Sequence, residues 1–193
     1  MEHSRLAVLL VLLAVVLAGC GPLGPTDAGG DRADPVALLT VLPSPGRLRG
    51  PDAVSADPAA LARAFTGRDD PDLTGVIASR DPKEAAVREW TGPGGQTLTA
   101  VATVWDSHLV ATQVGADLAQ MLVSDGGAAW TPPEARAARG ARRDDPPEQR
   151  LARSVGPNAI YIRATGPVPE ETVTTALARL TTQLQENPDF GGG

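Results

Sequence analysis

The sequence predicts an α+β fold, with two long helices and one short helix packed on one face of an antiparallel sheet of about five to six strands. Two observations support this class. Segments with apolar residues at helical spacing alternate with shorter apolar or alternating segments. Glycine-rich turns also separate several of the strand candidates, which is typical of antiparallel pairs joined by short turns. A chain of 193 residues is long enough to bury the core of one such domain.

The first half of the domain is predicted to begin with a strand at residues 36–42, a continuous apolar run. Asp57 followed by Pro58 is typical of a helix N-cap and first helical position, so the short helix should start there and end at Gly67. A second strand is expected at residues 73–79.

A hairpin is expected from residues 85–91 and 96–105, joined by the turn at 92–95. With Thr91 opposite Gln96, the alternation of strand side chains divides this hairpin into two faces. The predicted core face carries Val87, Leu98, Ala100, Ala102 and Val104. The opposite face carries Arg88, Trp90, Thr97, Thr99, Val101, Thr103 and Trp105.

Three residues of that second face, Arg88, Trp90 and Trp105, are the candidate binding residues. Tryptophan and arginine are typical anchors of binding surfaces, and the neighbouring threonines can form hydrogen bonds with a partner. The alternative is that another helix or loop covers this face.

The two long helices are expected at residues 107–124, with Asp106 as the cap, and from Pro169 to the end of the domain. Each carries apolar residues at helical spacing. The chain between them is assigned two strands, at 150–155 and 159–165, and no definite element at 130–149.

The start of the chain has the three parts of a secretory signal in order. Arg5 and the free amine come first, an apolar run follows at residues 6–17, and small residues precede Cys20. A membrane-spanning helix needs roughly 20 apolar residues, and this run is shorter and is followed by Gly21 and Pro22. The segment therefore predicts a signal peptide rather than a transmembrane helix.

Leu17, Ala18, Gly19 and Cys20 match a lipobox, and the chain resembles a bacterial lipoprotein precursor. The resemblance implies that signal peptidase II recognises the first three residues and cuts before Cys20. It also implies that the thiol of Cys20 carries a covalent diacylglycerol, and that the new amine can then receive a further acyl chain such as palmitate. The membrane is then a partner through this anchor. The alternatives are an unlipidated secreted protein and a buried structural thiol.

These features divide the chain into four parts. They are a signal peptide at 1–19, a lipidated cysteine with a flexible tether at 20–34, a single globular domain at 35–187 and a disordered tail at 188–193. The composition, with Lys83 as the one lysine among 17 basic residues, is typical of a high-GC bacterium, and the pattern resembles the small lipoproteins of actinobacteria.

Charge and composition exclude several function classes. The formal net charge of −6 argues against nucleic acid as a partner. With a single cysteine the chain forms no internal disulfide, so the domain must be stable through its core. No cofactor is expected other than the covalent lipid.

No catalytic residue or metal ligand is assigned. Asp106, Ser107 and His108 have the residue types of a hydrolase triad, but neighbours at a helix start point in different directions, and helix capping explains them. Three aspartates lie close together in the sequence: Asp69, Asp70 and Asp72. Their spacing does not match a calcium-binding EF-hand loop, so they predict a polar turn.

The arginine-rich segment between residues 134 and 153 is the basic concentration of the chain. It contains Arg136, Arg139, Arg142, Arg143, Arg150 and Arg153. Acidic residues are interspersed among them, which favours a self-neutralising surface. The alternative is docking to lipid headgroups or to an acidic polymer of the envelope.

The sequence as a whole favours a lipid-anchored binding or interaction module on the extracytoplasmic side of the cell membrane. Its partner would be an envelope protein or a small-molecule ligand. An envelope enzyme with a carboxylate-based site and an accessory subunit of an envelope complex are the alternative functions.

Overall fold

The computed structural model describes residues 32–50 and 58–186, in which the chain forms five α-helices and six β-strands. The helices are α1 (Pro35–Thr40), α2 (Pro58–Thr66), α3 (Pro71–Arg80), α4 (His108–Ser124) and α5 (Glu170–Glu186). The strands are β1 (Glu84–Thr91), β2 (Thr97–Val104), β3 (Ala128–Trp130), β4 (Arg139–Asp144), β5 (Pro147–Val155) and β6 (Asn158–Thr165). None of these five helices is long and apolar enough to cross a membrane.

Several predicted features lie outside the described residues. They are the signal peptide at 1–19, the lipobox with Cys20, most of the tether, the helix cap at Asp57 and the tail at 188–193.

The six strands form one antiparallel sheet in the order β1-β2-β6-β5-β4-β3. After β2, helix α4 carries the chain to the far edge of the sheet, where β3 lies. The chain then returns strand by strand until β6 pairs with β2. The predicted α+β class and the antiparallel sheet of five to six strands are therefore confirmed.

The helices cover both faces of this sheet, not one face as predicted. Helices α1 and α5 pack on the face that carries Leu98 and Ile162, which we call the α5 face. Helices α2 and α4 pack on the face that carries Val101 and Tyr161, the α4 face, and α3 packs on α2. The central strand β2 is buried along almost its whole length, so one layer of helices would leave its other face in water.

The first hairpin has a register that differs from the predicted one by one residue. Thr91 pairs with Thr97 rather than with Gln96. Gln96 belongs to the turn, because its carbonyl oxygen accepts a hydrogen bond from the Gly92 N–H at 2.8 Å. The turn is therefore one residue longer than expected.

This shift moves every β1 side chain to the face opposite the predicted one, because strand side chains alternate. Trp90 pairs with Leu98 and lies with Arg88 on the α5 face, whereas Val87 packs on the α4 face. Trp105, directly after β2, is buried on the α4 face. The prediction that Arg88, Trp90 and Trp105 share one face is therefore wrong.

Two segments predicted as strands, 36–42 and 73–79, lie mainly in helices α1 and α3. The carboxylate of Asp34 accepts hydrogen bonds from two backbone N–H groups of α1 at 2.8 and 3.2 Å. The carboxylate of Asp70 accepts one from α3 at 2.9 Å, and proline follows each aspartate. A short apolar run alone does not distinguish a strand from a buried helix, whereas these Asp-Pro pairs indicate a helix start.

The two long helices are present as α4 and α5, close to their predicted bounds. The N-cap of α4 is Ser107 rather than Asp106, because the Ser107 hydroxyl accepts a hydrogen bond from the Val110 N–H at 3.3 Å. Residues 130–149, which had no definite assignment, contain the end of β3, all of β4 and the start of β5.

Packing begins before residue 35, the predicted start of the domain. Ala33 is only 5% exposed, and its N–H donates a hydrogen bond to Asn158 Oδ1 at 2.9 Å. Asp34 caps α1. Both residues were expected in the tether, and both make contacts that belong to the domain.

Candidate functional site

Arg88 holds the end of helix α1 instead of lining an open surface. Its Nη1 donates hydrogen bonds to the carbonyl oxygens of Leu39 at 3.0 Å and Leu42 at 2.9 Å. The last carbonyls of a helix have no partner within the helix and favour a nearby cation. The guanidinium also lies 5.0 Å from the ring centre of Trp90, which is fully buried. Arg88 and Trp90 therefore meet in a structural contact.

Trp105 is also fully buried, on the opposite face of the sheet. Its indole Nε1 donates a hydrogen bond to Thr103 Oγ1 at 2.8 Å. Buried tryptophan normally finds such a partner, and this one lies within the same segment. Neither tryptophan of the predicted binding face is accessible to a ligand in this conformation.

A different group of side chains, the Glu148 cluster, combines burial with charge. We define it as Glu148, Arg143, Arg150 and Arg163. Glu148 Oε1 accepts hydrogen bonds from Arg150 Nε and Arg163 Nε, both at 2.9 Å, and lies 2.8 Å from Arg150 Nη2. Glu148 Oε2 accepts a hydrogen bond from Arg143 Nη2 at 2.9 Å. One carboxylate thus contacts three guanidinium groups.

The register of three strands brings these residues together. Arg143 of β4 lies opposite Glu148 of β5, and Arg150 of β5 lies opposite Arg163 of β6. Glu148 and Arg150 are two residues apart on one strand, so both side chains lie on the α4 face. Two arginines directly opposite each other repel, and the carboxylate between them offsets that repulsion.

Burial is deep at the centre of the Glu148 cluster and shallower at its edge. Glu148 is 5% exposed and Arg150 is 3% exposed. The side chains of Arg163 and Arg143 are 13% and 21% exposed. Arg143 has two further acceptors, the carbonyl oxygens of Asp125 and Pro146, each at 3.2 Å.

The pKa of Glu148 lies below its ordinary value. Burial is the largest single influence and raises this pKa, but the positive charges of Arg150 and Arg163 and the hydrogen bonds that they donate together lower it by more. Glu148 is therefore a stable carboxylate, held in its charged form by its neighbours.

The end of helix α2 covers Arg163 of the Glu148 cluster. Gly67 follows this helix with a φ of 74°, and a Cβ atom there would lie 2.3 Å from Arg163 Nη2. The positive φ favours glycine, and a Cβ atom would force the Arg163 guanidinium to move. Next to it, the buried Tyr161 hydroxyl donates a hydrogen bond to the Phe65 carbonyl at 3.2 Å. Burial raises the pKa of Tyr161, so its hydroxyl stays protonated.

One buried nitrogen of the cluster has no hydrogen-bond partner among the residues that the structure describes. Arg150 Nε and Nη2 both contact Glu148, but Arg150 Nη1 is buried without an acceptor. Most buried polar atoms are hydrogen-bonded, so an exception needs an explanation.

Arg143 and Arg150 belong to the arginine-rich segment of the sequence, whereas Glu148 and Arg163 were not recognised as parts of a site. The turn between β5 and β6 was predicted at residues 156–158, which would set Val155 opposite Ala159 and Arg150 opposite Ala164. In the structure Val155 pairs with Asn158, so Arg150 lies opposite Arg163. The predicted register therefore gave no signal for Arg163.

His108 links helix α4 to the sheet. Its Nδ1 lies 3.1 Å from the Gly156 carbonyl and its Nε2 lies 3.5 Å from Thr112 Oγ1, which is 2.8 Å from Ser154 Oγ. Thr112 and Ser154 line a small cavity of about 30 Å³ between α4 and the sheet, with room for roughly one water molecule. These hydrogen bonds connect two elements, and Ser154 reaches the histidine ring only through Thr112.

Potential metal ligands do not converge in the described residues, where no group of three His, Cys, Asp or Glu side chains could hold a metal ion. The acidic residues of the predicted polar turn have structural roles. Asp70 caps α3, and Asp69 accepts hydrogen bonds from Arg63 at 2.9 and 3.1 Å.

Comparison with solved structures gives a weak structural likeness. The extracellular domain of PknH from Mycobacterium tuberculosis superposes with a TM-score of 0.40 and 12% sequence identity, over 74% of this chain and 84% of that chain. A likeness of this degree transfers neither activity nor ligand. No family model matches the sequence, and no curated protein sequence matches it significantly.

Proposed function

We propose that this protein is a lipid-anchored binding module on the extracytoplasmic side of the cell membrane, with an envelope protein or a small molecule as its partner. The observation that carries the proposal is the order of features at the start of the chain. The apolar run at 6–17 is too short to span a bilayer, and Leu17, Ala18 and Gly19 place Cys20 where a lipoprotein signal is cleaved.

The position of the folded domain is consistent with this anchor. Among the described residues, Ala33 is the first that packs in the core, and it lies thirteen positions after Cys20. A chain of that length spans at most about 45 Å, so an anchor at Cys20 would keep the domain close to the membrane surface. Two acyl chains on one residue are sufficient for stable anchoring.

Binding is favoured over catalysis by the chemistry of the Glu148 cluster. A general acid or base works best when its pKa lies near the working pH. Glu148 has a lowered pKa and is already paired with three arginines, so it is poorly suited to proton transfer. Arginine side chains are instead suited to recognising a charged partner.

The anchor is tested by expressing the full chain in a bacterium and separating membranes from soluble protein. The variant Cys20→Ala should leave the membrane fraction or accumulate as an uncleaved precursor, because cleavage and lipid attachment both need the thiol. The control Thr26→Ala, in the same part of the chain, should stay in the membrane. Mass spectrometry of the wild-type N-terminal peptide should show a diacylglycerol on Cys20, and a mature N-terminus without lipid would refute the proposal.

A further inference from the structure

The Glu148 cluster carries more positive charge than it balances internally. Three guanidinium groups surround one carboxylate, which leaves an excess of two positive charges. Arg143 donates to two backbone carbonyls as well. Buried charge is costly unless it is paired, so the remaining excess, at Arg150 and Arg163, requires a compensating group.

Two features supply part of that compensation. The C-terminus of α2 lies above Arg163 and carries roughly half a negative charge. The second feature is Glu89, which lies in the same row of side chains across the strands, with Thr99 between Glu89 and Arg163. The carboxylate of Glu89 accepts a hydrogen bond from the Thr99 hydroxyl. Neither feature provides an acceptor for Arg150 Nη1, which is buried without a partner.

We propose that Arg150 and Arg163 form a binding site for a phosphate-type oxoanion. Arg150 would donate through Nη1, the atom that has no acceptor in the described residues, and Arg163 through its terminal nitrogens beneath Gly67. Guanidinium groups offer paired N–H donors whose geometry matches phosphate oxygens. The bound oxoanion supplies the missing acceptor and offsets the excess charge.

We place Arg68 at the rim of this site because it is the residue next to Gly67, which covers Arg163. Its side chain is 65% exposed, and its nitrogen is 4.0 Å from the carboxylates of both Asp70 and Asp125. Contacts this long on an exposed side chain contribute little stability, so Arg68 can turn toward an arriving anion at small cost.

The position of the site favours a phosphate-bearing molecule in the envelope over the membrane that holds the protein. Ala33 enters the domain at Asn158, the first residue of β6, and Arg163 lies five residues further along this strand, about 17 Å away. The site is therefore near the end of the sheet that lies away from the tether. This choice of source rests on the proposed anchor, whereas the oxoanion site itself does not.

The test uses the full chain purified in detergent. Sodium phosphate is titrated up to 10 mM, and the melting temperature is compared with that in sodium chloride of equal ionic strength. The site predicts a saturable rise of about 2 °C or more in phosphate, because a ligand that binds only the folded state stabilises it. Isothermal titration calorimetry should show one binding site. An absence of both signals would overturn the proposal.

Variants locate the binding. Arg163→Gln should abolish the phosphate-dependent rise, and Arg68→Gln, at an exposed position, should keep the fold and weaken phosphate binding at least threefold. The matched control Arg179→Gln, on the exposed side of α5, should bind phosphate like the wild type. If Arg163→Gln does not fold, Arg68→Gln decides. Wild-type affinity in Arg68→Gln, or in a folded Arg163→Gln, would place phosphate elsewhere and refute the site.

An experiment with vesicles distinguishes a phosphate-bearing envelope molecule from the headgroups of membrane lipids. The mature Cys20→Ala chain, which spans residues 20–193 and carries neither the signal peptide nor a lipid, is mixed with vesicles of phosphatidylcholine alone or with added phosphatidylglycerol. Free phosphate should bind to the chain, and neither kind of vesicle should retain the protein. Retention by phosphatidylglycerol that disappears in Arg68→Gln would assign the oxoanion to lipid headgroups and overturn the assignment to an envelope molecule. The phosphate titration tests the site whether or not Cys20 carries a lipid.

Discussion

Glu148 is the residue that allows three arginines to lie side by side inside the domain. Arg150 and Arg163 face each other on neighbouring strands, where like charges repel, and the carboxylate of Glu148 contacts both. Removing one partner of a buried ion pair costs about 3–5 kcal/mol, because the remaining charge stays buried without compensation. Here the remaining charge would be three guanidinium groups.

We therefore expect Glu148→Gln to lower the free energy of unfolding by about 3–5 kcal/mol at pH 7. The pKa of Glu148 is lower in the folded than in the unfolded chain. Its contribution to stability is therefore complete above the unfolded pKa, roughly 4.3, and is lost as the pH falls through the folded pKa. Urea titrations between pH 7 and pH 3 should show the difference between wild type and variant shrinking in acid.

The exposed carboxylate of Glu171 provides the control for this effect. Glu171→Gln should change the free energy of unfolding by less than about 0.5 kcal/mol at pH 7. A difference between wild type and Glu148→Gln that stays constant over the whole pH range would mean that the charge of Glu148 does not stabilise the fold.

The residues of the Glu148 cluster show what a sequence can and cannot predict at this scale. The concentration of arginines between residues 134 and 153 was visible, and a self-neutralising role was expected. Arg143 and Arg150 do pair with an acidic residue of that segment. Arg163 lies outside it and joins only through strand pairing, which depends on register rather than on proximity in the sequence.

At the scale of secondary structure, the packing of α1 explains why Arg88 and Trp90 do not form an open surface. Leu38 and Leu39 of this helix are buried in the same core cluster as Trp90. The chain after α1 also covers the tryptophan, since a Cβ on Gly50 would lie 2.5 Å from its ring. Arg88 donates hydrogen bonds to carbonyl oxygens at the end of α1 and just after it.

Trp90→Ala should therefore destabilise the domain by about 3–5 kcal/mol, the usual cost of removing a buried aromatic side chain. Trp90→Phe keeps much of the volume and should cost clearly less. Denaturant titration of both variants measures the difference. A Trp90→Ala protein as stable as the wild type would show that α1 does not pack over this ring and would reopen the predicted binding face.

The elements that were predicted wrongly have two physical reasons. A single residue of the turn, Gln96, decides the register of the first hairpin. A shift by one residue moves every side chain of a strand to the other face of the sheet. Apolar runs of fewer than ten residues fit a strand or a buried helix equally well. The long helices α4 and α5 were predicted close to their observed bounds because four or five turns of regular spacing leave little ambiguity.

At the scale of the whole molecule, the chain places its two long helices on opposite faces of the sheet. The sequence predicted both helices but put them on one face. The central strands β2, β5 and β6 have buried residues on both faces, so each face needs a cover. Which helix covers which face depends on the path of the chain, and periodicity within an element does not encode that path.

The contacts of Ala33 and Asp34 show where the domain begins. Asp34 caps α1, and Ala33 is buried with its N–H bonded to Asn158 on a central strand, so the domain extends to these two residues. A chain that starts at Arg32 should have the same free energy of unfolding as the mature protein. A chain that starts at Val36 should be less stable by about 2–4 kcal/mol, since it loses a helix cap worth about 1 kcal/mol and a buried hydrogen bond worth about 1–3 kcal/mol.

Urea titration of the two shortened chains beside the mature protein checks this expectation. The variant Asp34→Ala in the mature protein isolates the contribution of the cap and should cost about 1 kcal/mol. Equal midpoints for the chains that start at Arg32 and Val36 would mean that the tether includes Asp34, as the sequence alone predicted. A lower midpoint only for the chain starting at Val36 means that the tether ends before Ala33, so a lipid on Cys20 and the core are joined by at most twelve residues.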